Sequence, residues 1–506
     1  MAHESAQKFE KFELFFFFAI AALVILRLLA VAFTPLNLGP DEAQYWRWAQ
    51  NFDWGYFSKP PFIAWIIACT TSLFGDQEWA VRVASPLFHA GSALMLYLCG
   101  RLIWSPAVGV LAGLCWMFMG GIWLSSTIMS TDVPLLFFWS VGLYCFLRLR
   151  DGGGLAPAIG LGLALALGFL SKYAMIYFVI SLVLAVLIDK PSRKALISRN
   201  GLLAALLFGA LFLPHILWNI DNGFKTVSHT ADNARWNAEL LNPENGFKFI
   251  GDQLGVFSPV HFIMLIVLGV LALLGRSRFL REDYTARLLF VFILPPLLII
   301  IVQAFISRAH ANWAATAYPA ACVLLGAWAV TDKGWTRRSM IAGLILMLPV
   351  GLIYTTLISL PLETQIAMGV SNASKRLRGW PETVRETDAV VRANAATSVL
   401  VDEREIWHGL DYYGRDGELS VPVLAWREFD HAASASEETE ITDETARNVL
   451  LLSYRPSRLD MLLDDFRSHE LIGEMDIDLG GGKNRRFDLY LLQGFKPAPR
   501  NGSGDN

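Results

Sequence analysis

Long apolar runs dominate this chain and leave few folds open to it. Segments of the ~17–25 residues that a helix needs to cross a bilayer can be placed at 13–33, 79–100, 105–124, 132–149, 155–171, 173–188, 200–218, 257–274, 288–306, 312–330 and 339–359. Backbone inside hydrocarbon must satisfy its own hydrogen bonds, so these runs read as helices. The expectation is a polytopic α-helical membrane protein with about eleven transmembrane helices. Composition agrees: 54% of the 506 residues are hydrophobic and 17% charged, against ~45–50% apolar in soluble domains. The net charge of −3 offers no basic field to nucleic acid. The five cysteines show no CxxC spacing, so neither a zinc knuckle nor a disulfide framework is signalled. Lys8 and Lys11 precede the run 14–33, which is too long for a signal peptide and lacks a small-residue cleavage site, so it is expected to be the first span.

Loop charges set the sidedness. Lys190, Arg193, Lys194 and Arg199 fill one short loop, Arg276, Arg278, Arg281 and Arg287 another, and Lys333, Arg337 and Arg338 a third. All three fall on one side together with Arg148, Arg150 and the N-terminus, and the positive-inside rule makes that side cytoplasmic. The opposite side then receives the loop 34–78, the turns near Ser130 and Lys172, the loop 219–256, the turn near His310 and everything after residue 360. Counting the short run 62–74 as a crossing would invert every later loop and break this pattern. Most of the polar residues that topology leaves unexplained are expected outside: Asp41, Glu42, Lys59, Asp132, Lys172, His229, Arg235, Arg308 and Asn312. Lys59, Lys172 and Arg235 run against the rule, so something outside wants positive charge.

The opening loop, LNLGPDEAQYWRWAQNFDWGYFSKPP, concentrates these features. Gly-Pro-Asp-Glu is a good helix start, with acids facing the positive end of the dipole; the same acids suit proton transfer at the bilayer surface. Tyr45, Trp48, Ala49 and Phe52 recur at helical spacing and predict a helix in the membrane interface, its stripe packing or lipid-facing. Trp46 lies off the stripe, where it can stack on a sugar. Asp132 with Pro134, Lys172 at a span end, and the Asn312, Trp313 and Tyr318 group each have a bland counterpart: helix start, snorkelling lysine, interfacial belt. Arg235 with Trp236 equally serves to anchor its loop.

After about residue 360 the long runs stop, and a separate soluble domain, 361–506, is expected beside a transmembrane module of 1–360. Thr397–Val401, Val449–Leu452 and Phe487–Leu492 read as strands, and 383–394 and 457–467 as helices, a small α/β unit. The polar stretch 431–446 reads as a mobile loop and the last ten residues as a disordered tail.

If the outer cavity holds a lipid-linked phosphate, lysines there neutralise it as it leaves. Asp41 then takes the proton of an acceptor hydroxyl, while Glu42 or Asp132 positions that base or binds a metal. Pro40-Asp41-Glu42-Ala43 with Tyr45, Lys59-Pro60-Pro61, Asp132-Val133-Pro134, Ser171-Lys172-Tyr173 and Asn312-Trp313 with Tyr318-Pro319 resemble bacterial membrane glycosyltransferases of the GT-C superfamily. Within it the chain resembles the group of aminoarabinose transferases and relatives of protein O-mannosyltransferases, over nearly its whole length. The resemblance implies a GT-C fold with an outer, periplasmic C-terminal domain, a polyprenyl-phosphate sugar donor, and a lipid A, lipopolysaccharide core or related acceptor. It implies Asp41, with its neighbour Glu42, as the catalytic acid of the first outer loop, Asp132 as the second outer acid, Lys59 near the donor phosphate and Lys172 as a further phosphate contact. Arg235 is expected at the phosphate from its place outside, and Tyr45, Trp46, Asn312 and Tyr318 are expected to line the substrate site. Aminoarabinose transferases carry an acid before Lys-Pro-Pro where this chain has Ser58, which counts against a metal site there; no cofactor is named by the sequence and a divalent metal stays open. The rival from another class is a flippase of lipid-linked sugars, which needs polar residues at the midplane of several spans.

Overall fold

The computed structural model describes residues 2–232, 241–429, 431–439, 441 and 445–497. The expected Arg235 site, parts of the 431–446 loop and all but the first residue of the expected tail lie outside them. The chain divides into two compact units: 1–32, 53–66 and 82–357 form the first, and 33–52, 67–81 and 358–506 the second. The second unit takes in two pieces of the opening loop that the sequence reading joined to the transmembrane module.

The first unit is helical, and every apolar run contains a helix. Among the described residues seven helices are long and apolar enough to cross a membrane, or nine when each of two bent pairs counts as one span. Pro106–Phe118 and Leu155–Ser171 are apolar but short, with 13 and 17 residues, against the ~20 that a perpendicular crossing takes. One bent pair, Pro243–Val256 with Pro259–Leu273 at 118°, puts a helix where the sequence reading had only a long loop. Small residues let helices approach, as membrane packing demands. A Cβ on Gly109 would stand 2.3 Å from the Tyr97 carbonyl oxygen, and one on Gly162 would stand 2.7 Å from that of Ala204.

Arg27 shows how a charge survives in such a core. It is fully buried in the first helix, donates to the Met117 carbonyl at 2.6 Å, and lies 4.4 Å from the Trp123 ring centre. Met117 lies in the last turn of the helix Pro106–Phe118, which breaks at Met119, so the cation meets a carbonyl that the helix end leaves unpaired and the negative end of the dipole.

The second unit is built on a five-stranded sheet. Its strands are β1 (Ser398–Val401), β2 (Val423–Ala425), β3 (Val449–Ser453), β4 (Phe466–Asp478) and β5 (Asn484–Phe495), in the order β2-β1-β3-β5-β4. β1 pairs in parallel with β2 and β3, while β5 runs antiparallel between β3 and β4. β1 and β3 are buried at every position, the pattern of strands covered on both faces. On one face Val399, Val401, Leu450 and Leu452 meet Trp380, Val384 and Leu410 of helices Trp380–Ala393 and Arg404–Tyr413. The three foreseen strands are present, but 457–467 is not one helix: a 3₁₀ turn, Pro456–Arg458, leads into the short α-helix Leu459–Leu463, and β4 follows at Phe466. β4 is an edge strand exposed along much of its length, so its FRSHELIGEMDID lacks the apolar alternation that would mark it.

Candidate active site

Asp41 opens the helix Pro40–Ala49, which belongs to the second unit. Pro40 presets the first turn, and the Glu42 carboxylate accepts from the backbone N–H of Gly39 at 2.9 Å, so one role of Glu42 is to cap the helix. Asp41 projects outward with its side chain 62% exposed, and its Oδ1 accepts from Arg404 Nη2 at 2.5 Å. The same guanidinium donates to Gln44 Oε1 at 3.3 Å. Positions 41 and 44 share a helix face, so together they form a two-pronged acceptor for one arginine.

The aromatic residues of this helix do not form an interfacial stripe. Tyr45, Trp46 and Trp48 are buried while Phe52, beyond the helix end, is exposed. Trp46 donates its indole N–H to Asp76 at 2.6 Å and meets the Tyr412 ring edge-on. Both Tyr45 and Trp46 therefore sit in the packing of the second unit and not on an open sugar platform. The helix packs against Arg404–Tyr413, where Arg47 reaches Asp411 at 3.6 Å. Burial pushes the Asp411 carboxyl up to about 6, opposed by Arg47, and the buried His408 imidazole down to about 3, helped by Arg404 and Arg47.

In the first unit three of the foreseen residues converge. Asp132 starts the helix Asp132–Arg150, Lys172 follows the helix Leu155–Ser171, and Asn312 lies in the first turn of the 3₁₀ segment Ala311–Ala317. Lys172 Nζ donates to Asp132 Oδ1, and Asn312 Nδ2 to Asp132 Oδ2, both at 2.7 Å. Asp132 is thus more than a helix start: it ties three elements and orients a lysine that keeps two further N–H donors. Tyr318, by contrast, is fully buried, donates to Gln253 Oε1 at 2.5 Å and stacks on Phe257. That places it in the helical core, away from any open surface.

Lys59 lies in the short loop before the helix Phe62–Phe74 and is half-buried beside the buried Ser58. Residues the sequence reading did not single out hold that loop. His215 Nδ1 donates to the Trp54 carbonyl at 2.6 Å while its Nε2 faces the Tyr173 hydroxyl at 2.7 Å. Thr226 donates to the Tyr56 carbonyl at 2.7 Å. A Cβ on Gly55 would fall 2.3 Å from the Trp218 ring, so only glycine lets the loop lie this close. His229 meets Phe57 edge-on, and among the described residues no group of three or more His, Cys, Asp or Glu could hold a metal ion.

Comparison with known proteins defines the class. Lipid A galacturonosyltransferase RgtD of Rhizobium johnstonii is 31% identical to this chain over 411 residues, spanning 80% of this chain and 84% of that one. The chain belongs to the GT-C membrane glycosyltransferases. The family described as dolichyl-phosphate-mannose-protein mannosyltransferase matches residues 58–218, a stretch that holds Lys59, Asp132 and Lys172. An undecaprenyl phosphate-alpha-4-amino-4-deoxy-L-arabinose arabinosyl transferase of Proteus mirabilis is 28% identical over 280 residues, 50% of this chain and 48% of that one. The crystal structure of ArnT from Cupriavidus metallidurans bound to undecaprenyl phosphate shares the fold, with a TM-score of 0.64 at 14% identity over 95% of this chain and 98% of that one.

Proposed function

We propose that this glycosyltransferase moves a hexuronic sugar of the galacturonate type from a polyprenyl phosphate to lipid A or lipopolysaccharide core, at the periplasmic face of the bacterial inner membrane. The match to a lipid A galacturonosyltransferase over 84% of that protein's length carries the reading. In it Asp41 is the general base. It accepts the proton of an acceptor hydroxyl, whose oxygen attacks the anomeric carbon. The bond from that carbon to the phosphate oxygen breaks, and the polyprenyl phosphate leaves with the electron pair, inverting the sugar. Lys59, Lys172 and Arg235 stabilise the leaving phosphate, and Asp132 aims Lys172 through its 2.7 Å bond. A positioned base contributes ~10²–10⁴-fold; alignment and phosphate stabilisation supply the rest.

The test is the mass profile of lipid A and core oligosaccharide from a deletion strain of the source bacterium, complemented with wild type or Asp41→Asn. Loss of one hexuronic acid on deletion, restored by wild type alone, is the expected result. Loss of an aminopentose would replace the sugar, and an unchanged profile would move the acceptor elsewhere. Near-normal transfer by Asp41→Asn would remove Asp41 from the role of base.

A further inference from the structure

We infer that Arg404, from the C-terminal part of the chain, is a positioning residue for Asp41: it fixes the rotamer of the base while leaving one carboxylate oxygen for the acceptor. The inference rests on the reading of Asp41 as general base. Its geometric ground is that Arg404 engages Oδ1 of Asp41 alone, so Oδ2 stays available to a hydroxyl. A base whose orientation is set by a third group is the recurring arrangement of acid–base sites.

The fold keeps Arg404 for this contact. Arg404 begins the helix that follows β1, at the carboxyl end of the parallel strands β2-β1-β3, the edge where open α/β sheets place their functional groups. The junction is rigid. The buried Asp402 carboxylate accepts from the backbone N–H groups of Tyr454 and Arg455, at 3.0 and 2.9 Å, and so ties the end of β1 to the segment after β3. The neighbouring acids have arginines of their own, Glu403 with Arg455 and Glu405 with Arg376. Arg404 therefore turns to Asp41 and Gln44. Gln44 is buried and sets the second nitrogen of the fork, which makes the pairing directional and not merely electrostatic.

The experiment uses purified full-length protein in detergent. The donor is whichever of polyprenyl-phosphate galacturonate and polyprenyl-phosphate aminoarabinose supports transfer to lipid A by the wild type. Arg404→Gln is expected to lower kcat about tenfold with KM little changed, since small losses of alignment are costly. Arg404→Lys should recover only part of kcat, because an ammonium keeps the charge but lacks the fork. An unchanged kcat in Arg404→Gln, with Asp41→Asn inactive, overturns the inference and leaves the base in place. A rise confined to KM makes Arg404 a substrate contact instead. An active Asp41→Asn removes the reading beneath both.

Discussion

The Asp132–Lys172 pair allows a prediction worked from distances. At 2.7 Å and an effective dielectric of 20 the gross attraction is about 6 kcal/mol, most of it offset by desolvation. Breaking a buried pair from one side costs ~3–5 kcal/mol, and an exposed pair is worth ~0–1. With side chains 24% and 12% exposed, this pair falls between, so Lys172→Met should destabilise by about 2 kcal/mol. It leaves a carboxylate held by the neutral Asn312 amide alone among the described residues. Adding Asp132→Asn removes that stranded charge, and the double variant should regain most of the loss. Unfolding free energies from detergent titration in mixed micelles, arranged as a double-mutant cycle, measure the coupling. Transfer activity separates the second role: if Lys172 meets the donor phosphate, the double variant regains stability but not transfer. A double variant no more stable than Lys172→Met alone would refute the electrostatic argument, and one that is stable and fully active would refute the phosphate contact.

Other parts of the chain give sharper, simpler tests. Asp411 lies up at about 6 because it is buried, and its Oδ2 has no partner among the described residues. Between pH 4 and 6 the folded protein keeps a proton that the unfolded chain has released. The contribution of Asp411 to stability is therefore fully present below pH 4 and is lost as pH rises through 6, by up to about 3 kcal/mol; the gap in melting midpoint between Asp411→Asn and wild type should widen over that window, with the variant the more stable at pH 7. Gly109→Ala drives a Cβ to 2.3 Å from the Tyr97 carbonyl and should cost about 1–3 kcal/mol, read as a lowered melting midpoint with kcat of the surviving protein unchanged. Trp46→Phe removes the 2.6 Å bond to Asp76 and should cost about 1–2 kcal/mol; equal losses in KM for the acceptor would restore the sugar-stacking role.

What the sequence makes legible follows from the range of the physics involved. Apolar runs announce membrane helices because hydration penalises each residue independently, and β1 and β3 announce themselves because both faces are buried. The acids at helix starts are visible too, since capping and dipole rules are local: Asp41, Glu42 and Asp132 all stand in first turns. Pairing is not local. Asp132 could be placed beside Lys172 and Asn312 only by supposing one shared side, and nothing in DVP, SKY or ANW says which lysine an acid meets. Tyr45 and Trp46 illustrate the same limit: a stripe beside a membrane reads as interfacial until a second helix covers it, and that helix lies more than 350 residues away in sequence. Arg404 is the extreme case, because its sequence neighbours Glu403 and Glu405 suggest local ion pairs while both acids are engaged elsewhere. The signal that could have found it sits in the partner helix. Asp41 and Gln44, three residues apart on one face with Glu42 turned back onto Gly39, leave an acceptor fork that a guanidinium fits and an ammonium does not.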